Sequence, residues 1–119
     1  MTSKELACEA VRVLDKKKAA DIKMVGIKDI SVLTDYFVIA TGTSSTHVKS
    51  LADEVEFALK QEGVKPAHTE GYRSNSWVLL DYGGVIVHIF TEDARAFYDL
   101  DHLWRDGEAI DIGNLLTSE

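Results

Sequence analysis

A chain of 119 residues has room for one domain and one core, and its 45% apolar and 28% charged residues fit a folded globular protein rather than a disordered one. Its 20 acidic against 13 basic side chains leave a net charge of -7, which repels a phosphate backbone and argues against docking on bare nucleic acid. A single cysteine, Cys8, excludes an intrachain disulfide and a cysteine-based zinc site, and the longest apolar run, residues 36–40, is strand-sized; a cytoplasmic protein without a membrane span is expected.

In chain order, Thr2 and Glu5 have the spacing of a capping box, so a first helix is predicted to start there, with Leu6, Ala10, Val13 and Leu14 on its core face. The cluster Lys16, Lys17 and Lys18 ends that helix, where cations complement its dipole, and reads as a solvated helix end rather than a nucleic-acid patch. A short strand is predicted over 21–27. Residues 36–40 are apolar at every position, the mark of a strand covered on both faces and therefore central. A Gly/Ser turn at 41–45 leads into a second helix over 45–62, whose stripe of Val48, Leu51, Ala52, Val55 and Leu59 stops at Gly63. Pro66 limits residues 64–69 to an edge strand or an extended connection.

Residues 77–82 and 85–90 are β-rich and separated by Gly83 and Gly84, which predicts a hairpin on a primed turn. That turn pairs Tyr82 with Val85, Leu80 with Val87 and Val78 with Ile89, an apolar core face. The opposite face carries Trp77, Leu79, Asp81, Ile86, His88 and Phe90 and need not be fully buried; Asp81 and His88 lie diagonally close on it. Thr91 is placed to cap a short helix through Phe97. Beyond Asp106 the pattern is thin, so residues 107–119 read as a C-terminal extension on a 1–106 domain, with Ile110, Ile112, Leu115 and Leu116 able to pack. The fold class is α/β (α+β), a mixed β-sheet flanked by helices.

The chemistry of transfer enzymes is poorly represented. Two carboxylates two apart on one strand would hold metal ions for phosphoryl or nucleotidyl transfer, and none of the predicted strands has such a pair. The turn at 41–45 offers backbone N–H groups ahead of a helix, yet lacks the lysine of a Walker loop and the three-glycine dinucleotide spacing. The four histidines show no zinc-ligand spacing, and no cofactor pattern is found. Both tryptophans, Trp77 and Trp104, instead gather with Tyr72, Tyr98, Arg73, Arg95 and Arg105 late in the chain, the residue types that anchor protein interfaces.

The blocks DYFVIATGTSSTHV at 35–48, EG at 70–71, WVLLDYG at 77–83, VHIF at 87–90 and RAFYDLDHLW at 95–104 resemble the Iojap-like ribosomal silencing factors, over roughly residues 3–106. The resemblance implies a nucleotidyltransferase-like fold without catalytic carboxylates. It also implies a non-enzymatic protein that binds the large ribosomal subunit at ribosomal protein L-fourteen, sterically blocks joining of the small subunit and represses translation. Carried onto this chain, the ribosomal surface falls on Trp77, Leu79, Asp81, Tyr98, Leu103 and Trp104, with Tyr72 and Arg73 as weaker members. The alternatives are a nucleotide-binding or nucleotidyltransferase-like enzyme using the Gly/Ser turn, and a homodimer formed through the same hairpin face.

Overall fold

The structure, a computed structural model, describes residues 1–29 and 34–116, with Leu103 described by its backbone. Its elements in chain order are α1 (Ser3–Lys16), β1 (Ala20–Gly26), β2 (Tyr36–Gly42), α2 (Ser45–Gln61), β3 (His68–Glu70), β4 (Trp77–Asp81), β5 (Val85–Thr91), α3 (Glu92–Tyr98), α4 (Leu100–Leu103), β6 (Glu108–Ala109) and a 3₁₀ turn (Gly113–Leu115).

The predicted capping box closes α1: the Glu5 amide donates to Thr2 Oγ1 at 3.1 Å, and the Thr2 amide donates to Glu5 Oε1 at 2.8 Å. Its buried stripe is wider than Leu6, Ala10 and Leu14, since Ala7 and Val11 are also covered while Val13 is only partly so. Ser44 caps α2 by accepting from the His47 amide at 3.1 Å. Gly63 follows the last turn at φ +78°, a left-handed conformation that glycine adopts without the penalty of a Cβ.

The six strands form one mixed sheet in the order β3-β4-β5-β2-β1-β6, in which only β2 and β5 run parallel. β2 lies inside the sheet and all seven of its residues are buried, as continuous apolarity requires. The hairpin has the expected register, with Val78 opposite Ile89 and Leu80 opposite Val87, and the Tyr82 amide donates to the Val85 carbonyl at 2.8 Å. Only Gly83 takes positive φ (+85°), so the turn has the II′ pattern rather than left-handed backbone at both loop positions.

Alternation divides the side chains between two cores. Tyr36, Val38, Ala40, Val78, Leu80, Val85, Val87 and Ile89 meet α1 and α2 on one face, with Tyr82 and Cys8 partly buried at its margin. Phe37, Ile39 and Phe90 form a smaller core on the other face with Ile27, Ala94 and Leu100. Each fully buried Leu, Ile, Val or Phe contributes about 1.5–3 kcal/mol by leaving water. The chain beyond Asp106 is structured as far as it is described: β6 pairs antiparallel with β1, and Leu115 is buried in the larger core.

Candidate functional site

Among the described residues the helices over the smaller core are α3 and α4, of 7 and 4 residues, and part of that core reaches the surface. A row of rings crosses this face. Trp104 meets Phe37 edge-on at 5.0 Å, and Phe37 meets His88 edge-on at 4.9 Å. The Trp77 indole Nε1–H then donates to His88 Nδ1 at 3.1 Å. Trp77 stacks on Phe90 at 5.0 Å and leans on Tyr98 at 4.6 Å, and Tyr98 meets Phe97 edge-on at 5.1 Å. Such pairs add about 0.5–1.5 kcal/mol each beyond area burial.

Burial grades along the row. Phe90 is 0% and His88 4% exposed, Trp77 and Trp104 are half-buried, and Tyr98 and Phe97 reach 49% and 81%. Buried rings therefore support exposed ones. Desolvation of His88 pushes its pKa down to about 4, so the imidazole is neutral near pH 7 and Nδ1 is free to accept.

The face is pinned by Arg95 of α3. Its guanidinium donates to both oxygens of Asp101 on α4, at 3.1 and 3.0 Å, and to Thr41 Oγ1 at 2.9 Å, and it also reaches the Asp21 carbonyl in the irregular start of β1. Lys23 Nζ sits 3.1 Å from Asp101 Oδ1, an oxygen that Arg95 also reaches. The Arg95 hydrogen bonds, with help from Lys23, hold the Asp101 carboxyl down at about 2. Asp99 between the two helices adopts φ +49°, the bend that turns α4 back over the sheet.

Trp77, Tyr98 and Trp104 are thus brought to one surface, and Leu79 lies beside Trp77 in a groove of about 210 Å³ with Glu70 and Gly71. The Leu103 side chain lies outside the described residues. Asp81 stands at the turn end of β4, where its carboxylate accepts from the Gly83 amide at 2.8 Å. Asp81 keeps the expected diagonal place beside His88, but it is the Trp77 indole, the other diagonal neighbour, that bonds the imidazole. Tyr72 packs against the larger core on the opposite side, its hydroxyl donating to Glu56 of α2 at 2.6 Å, and Arg73 is exposed in the connection before β4. Phe97, the most exposed large apolar residue described, and the supporting His88 were missed as members.

The Gly/Ser turn is occupied by its own side chains. The Thr43 amide donates to His47 Nδ1 at 2.9 Å, the His47 amide to Ser44 Oγ, and the Val48 amide to the Ser44 carbonyl. His47 Nε2 meets the Lys17 carbonyl at 3.0 Å and ties the turn to the end of α1. Gly42 packs so closely that a Cβ there would lie 2.9 Å from Val48 Cγ2. Among the described residues there is no cluster of three or more His, Cys, Asp or Glu able to hold a metal ion, and no helix long and apolar enough to cross a membrane.

The same fold occurs in two crystal structures. One, of a Chromobacterium violaceum protein, is 35% identical over 88% of each chain with a TM-score of 0.85; the other, of a Bacillus halodurans protein, is 36% identical over 91% of this chain and 98% of that one, with a TM-score of 0.80. The sequence is 35% identical to the ribosomal silencing factor RsfS of Halalkalibacterium halodurans, over 98% of this chain and 100% of that protein. It is likewise 35% identical to that of Bacillus subtilis over 94% and 95%, and 30% identical to the chloroplastic protein Iojap of Arabidopsis thaliana over 89% of this chain and 44% of that protein. The family model described as "Ribosomal silencing factor during starvation" matches residues 1–119, and the chain belongs to that family.

Proposed function

We propose that the chain binds the large ribosomal subunit at ribosomal protein L-fourteen through the Trp77 face, sterically blocks joining of the small subunit and so represses translation in the cytoplasm. The observation that carries this reading is the graded ring row: Trp77, Tyr98 and Phe97 form an apolar surface backed by the buried rings of His88 and Phe90. A rigid aromatic anchor loses little side-chain entropy on docking, which is why such residues dominate interface energetics. Occlusion requires no turnover, and in the Gly/Ser turn the Thr43, His47 and Val48 amides are engaged internally.

Sedimentation with purified large subunits tests the reading. Wild type should co-migrate with large subunits and reduce their joining to small ones. Trp77→Ala should weaken binding by about 2 kcal/mol or more. Equal binding by the variant would remove Trp77 from the surface. A homodimer hiding this face would instead appear by light scattering as a mass that falls when subunits are added.

A further inference from the structure

The groove lined by Glu70, Gly71, Trp77 and Leu79 lies where β3 turns away from β4. Its volume, about 210 Å³, is below the ~300–1,000 Å³ of small-molecule sites and suits a single side chain. Two of its walls, Trp77 and Leu79, are apolar. Gly71 contributes backbone alone: it sits at φ +93°, and a Cβ there would fall 1.8 Å from the Trp77 carbonyl oxygen. Glu70, opposite Leu79 in the β3–β4 pairing, supplies a carboxylate whose side chain is 66% exposed and whose neighbour is His68 at 3.1 Å.

Apolar walls beneath an anionic rim match a side chain with a hydrocarbon stem and a cationic head. A purely apolar occupant would strip water from Glu70 without replacing its hydrogen bonds, and an acidic one would be repelled. The geometry points to this groove as a socket for one arginine or lysine of the docking protein, with Glu70 as its counter-ion. Arginine has the better fit, since its planar fork meets a carboxylate through two parallel hydrogen bonds. The inference rests on the Trp77 face being the ribosomal surface, and it adds the chemistry of the partner at one position.

The test measures affinity of the full chain for purified large ribosomal subunits at low and high salt, for wild type, Glu70→Gln, His68→Gln and Trp77→Ala. Glu70→Gln should bind about tenfold more weakly at low salt and show a shallower salt dependence, because a charge-assisted contact is lost. His68→Gln, which removes only the neighbour of Glu70, should stay within about twofold of wild type. If Trp77→Ala is weak while Glu70→Gln matches wild type in affinity and salt dependence, the socket is wrong and the surface stands. If His68→Gln weakens binding as much as Glu70→Gln does, strand geometry rather than the carboxylate is responsible, and the socket is again overturned. Tighter binding by Glu70→Gln would mean that the groove faces phosphate. If all three variants bind as wild type, the surface itself is misplaced.

Discussion

His88 occupies the position on which the exposed rings depend. It lies opposite Leu79, so Trp77 and Asp81 are its two diagonal neighbours on the same face. The pattern of residues brings a carboxylate and an indole equally near, and nothing in the sequence decides between them. The turn decides: Asp81 is two residues from Gly83, and a local backbone amide captures its carboxylate at 2.8 Å. The imidazole is left to the indole. If this bond orients Trp77, the acceptor matters more than the ring. His88→Asn, with an oxygen near the place of Nδ1, should retain the Trp77 environment, whereas His88→Leu leaves the indole N–H without its acceptor at a penalty of about 1–3 kcal/mol. In a Trp104→Phe background Trp77 is the sole tryptophan, and its fluorescence should shift to the red in the Leu variant but not in the Asn variant. Identical spectra for the two would leave His88 as packing alone. The need for glycine at position 71 was equally invisible in sequence, because the Trp77 carbonyl that fills its Cβ space comes from another strand.

At the scale of elements, local signals served wherever the chain talks to itself nearby. The Thr2 capping box, the α2 stripe ending at Gly63 and the Gly83–Gly84 hairpin are all short-range patterns, and all formed where expected. The α3–α4 unit shows in the sequence only as aromatic density beyond the Thr91 cap and the short helix after it, which also formed as expected, the Ala94 amide donating to Thr91 Oγ1 at 3.3 Å. Its organising pair, Arg95 and Asp101, is six residues apart, off the three- and four-residue spacing of helix neighbours, and it works because Asp99 breaks the helix between them. β6 escaped notice because two residues carry no alternation. The Arg95 side chain is 11% exposed and bridges α3, α4, β1 and β2, so Arg95→Ala should destabilise the fold by about 2 kcal/mol and loosen α4 first. Arg95→Lys should rescue little, since an ammonium cannot make the forked contact. Hydrogen exchange provides the check: amides of 100–104 should exchange faster than those of α1 in both variants, and unchanged protection there would exclude the tether.

The whole molecule is a sheet covered unevenly, by helices of 14 and 17 residues on one face and of 7 and 4 on the other. The class and the central β2 strand could be seen in the sequence, but the placement of β2 between β1 and β5 could not, since pairing across 49 positions (Tyr36 with Val85) leaves no local period. The thinner layer also sets the acid response. His88 holds a pKa of about 4 when folded against an ordinary 6.5. Between those values the unfolded chain binds a proton that the native state refuses, so stability rises with pH; in descending from about 6.5 to about 4 it falls by on the order of 3 kcal/mol. A domain of this size has roughly 5–15 kcal/mol in all. Below that window His88 is protonated in both states and its effect is constant. Asp101, held at about 2 against 3.8, stabilises fully above its unfolded value, and that contribution is lost as pH falls towards 2. Urea midpoints measured against pH should therefore descend in two stages. His88→Leu should flatten the upper stage alone, and Asp101→Asn the lower stage alone. An upper stage that survives intact in His88→Leu would mean that the acid sensitivity lies elsewhere than in the face that holds Trp77.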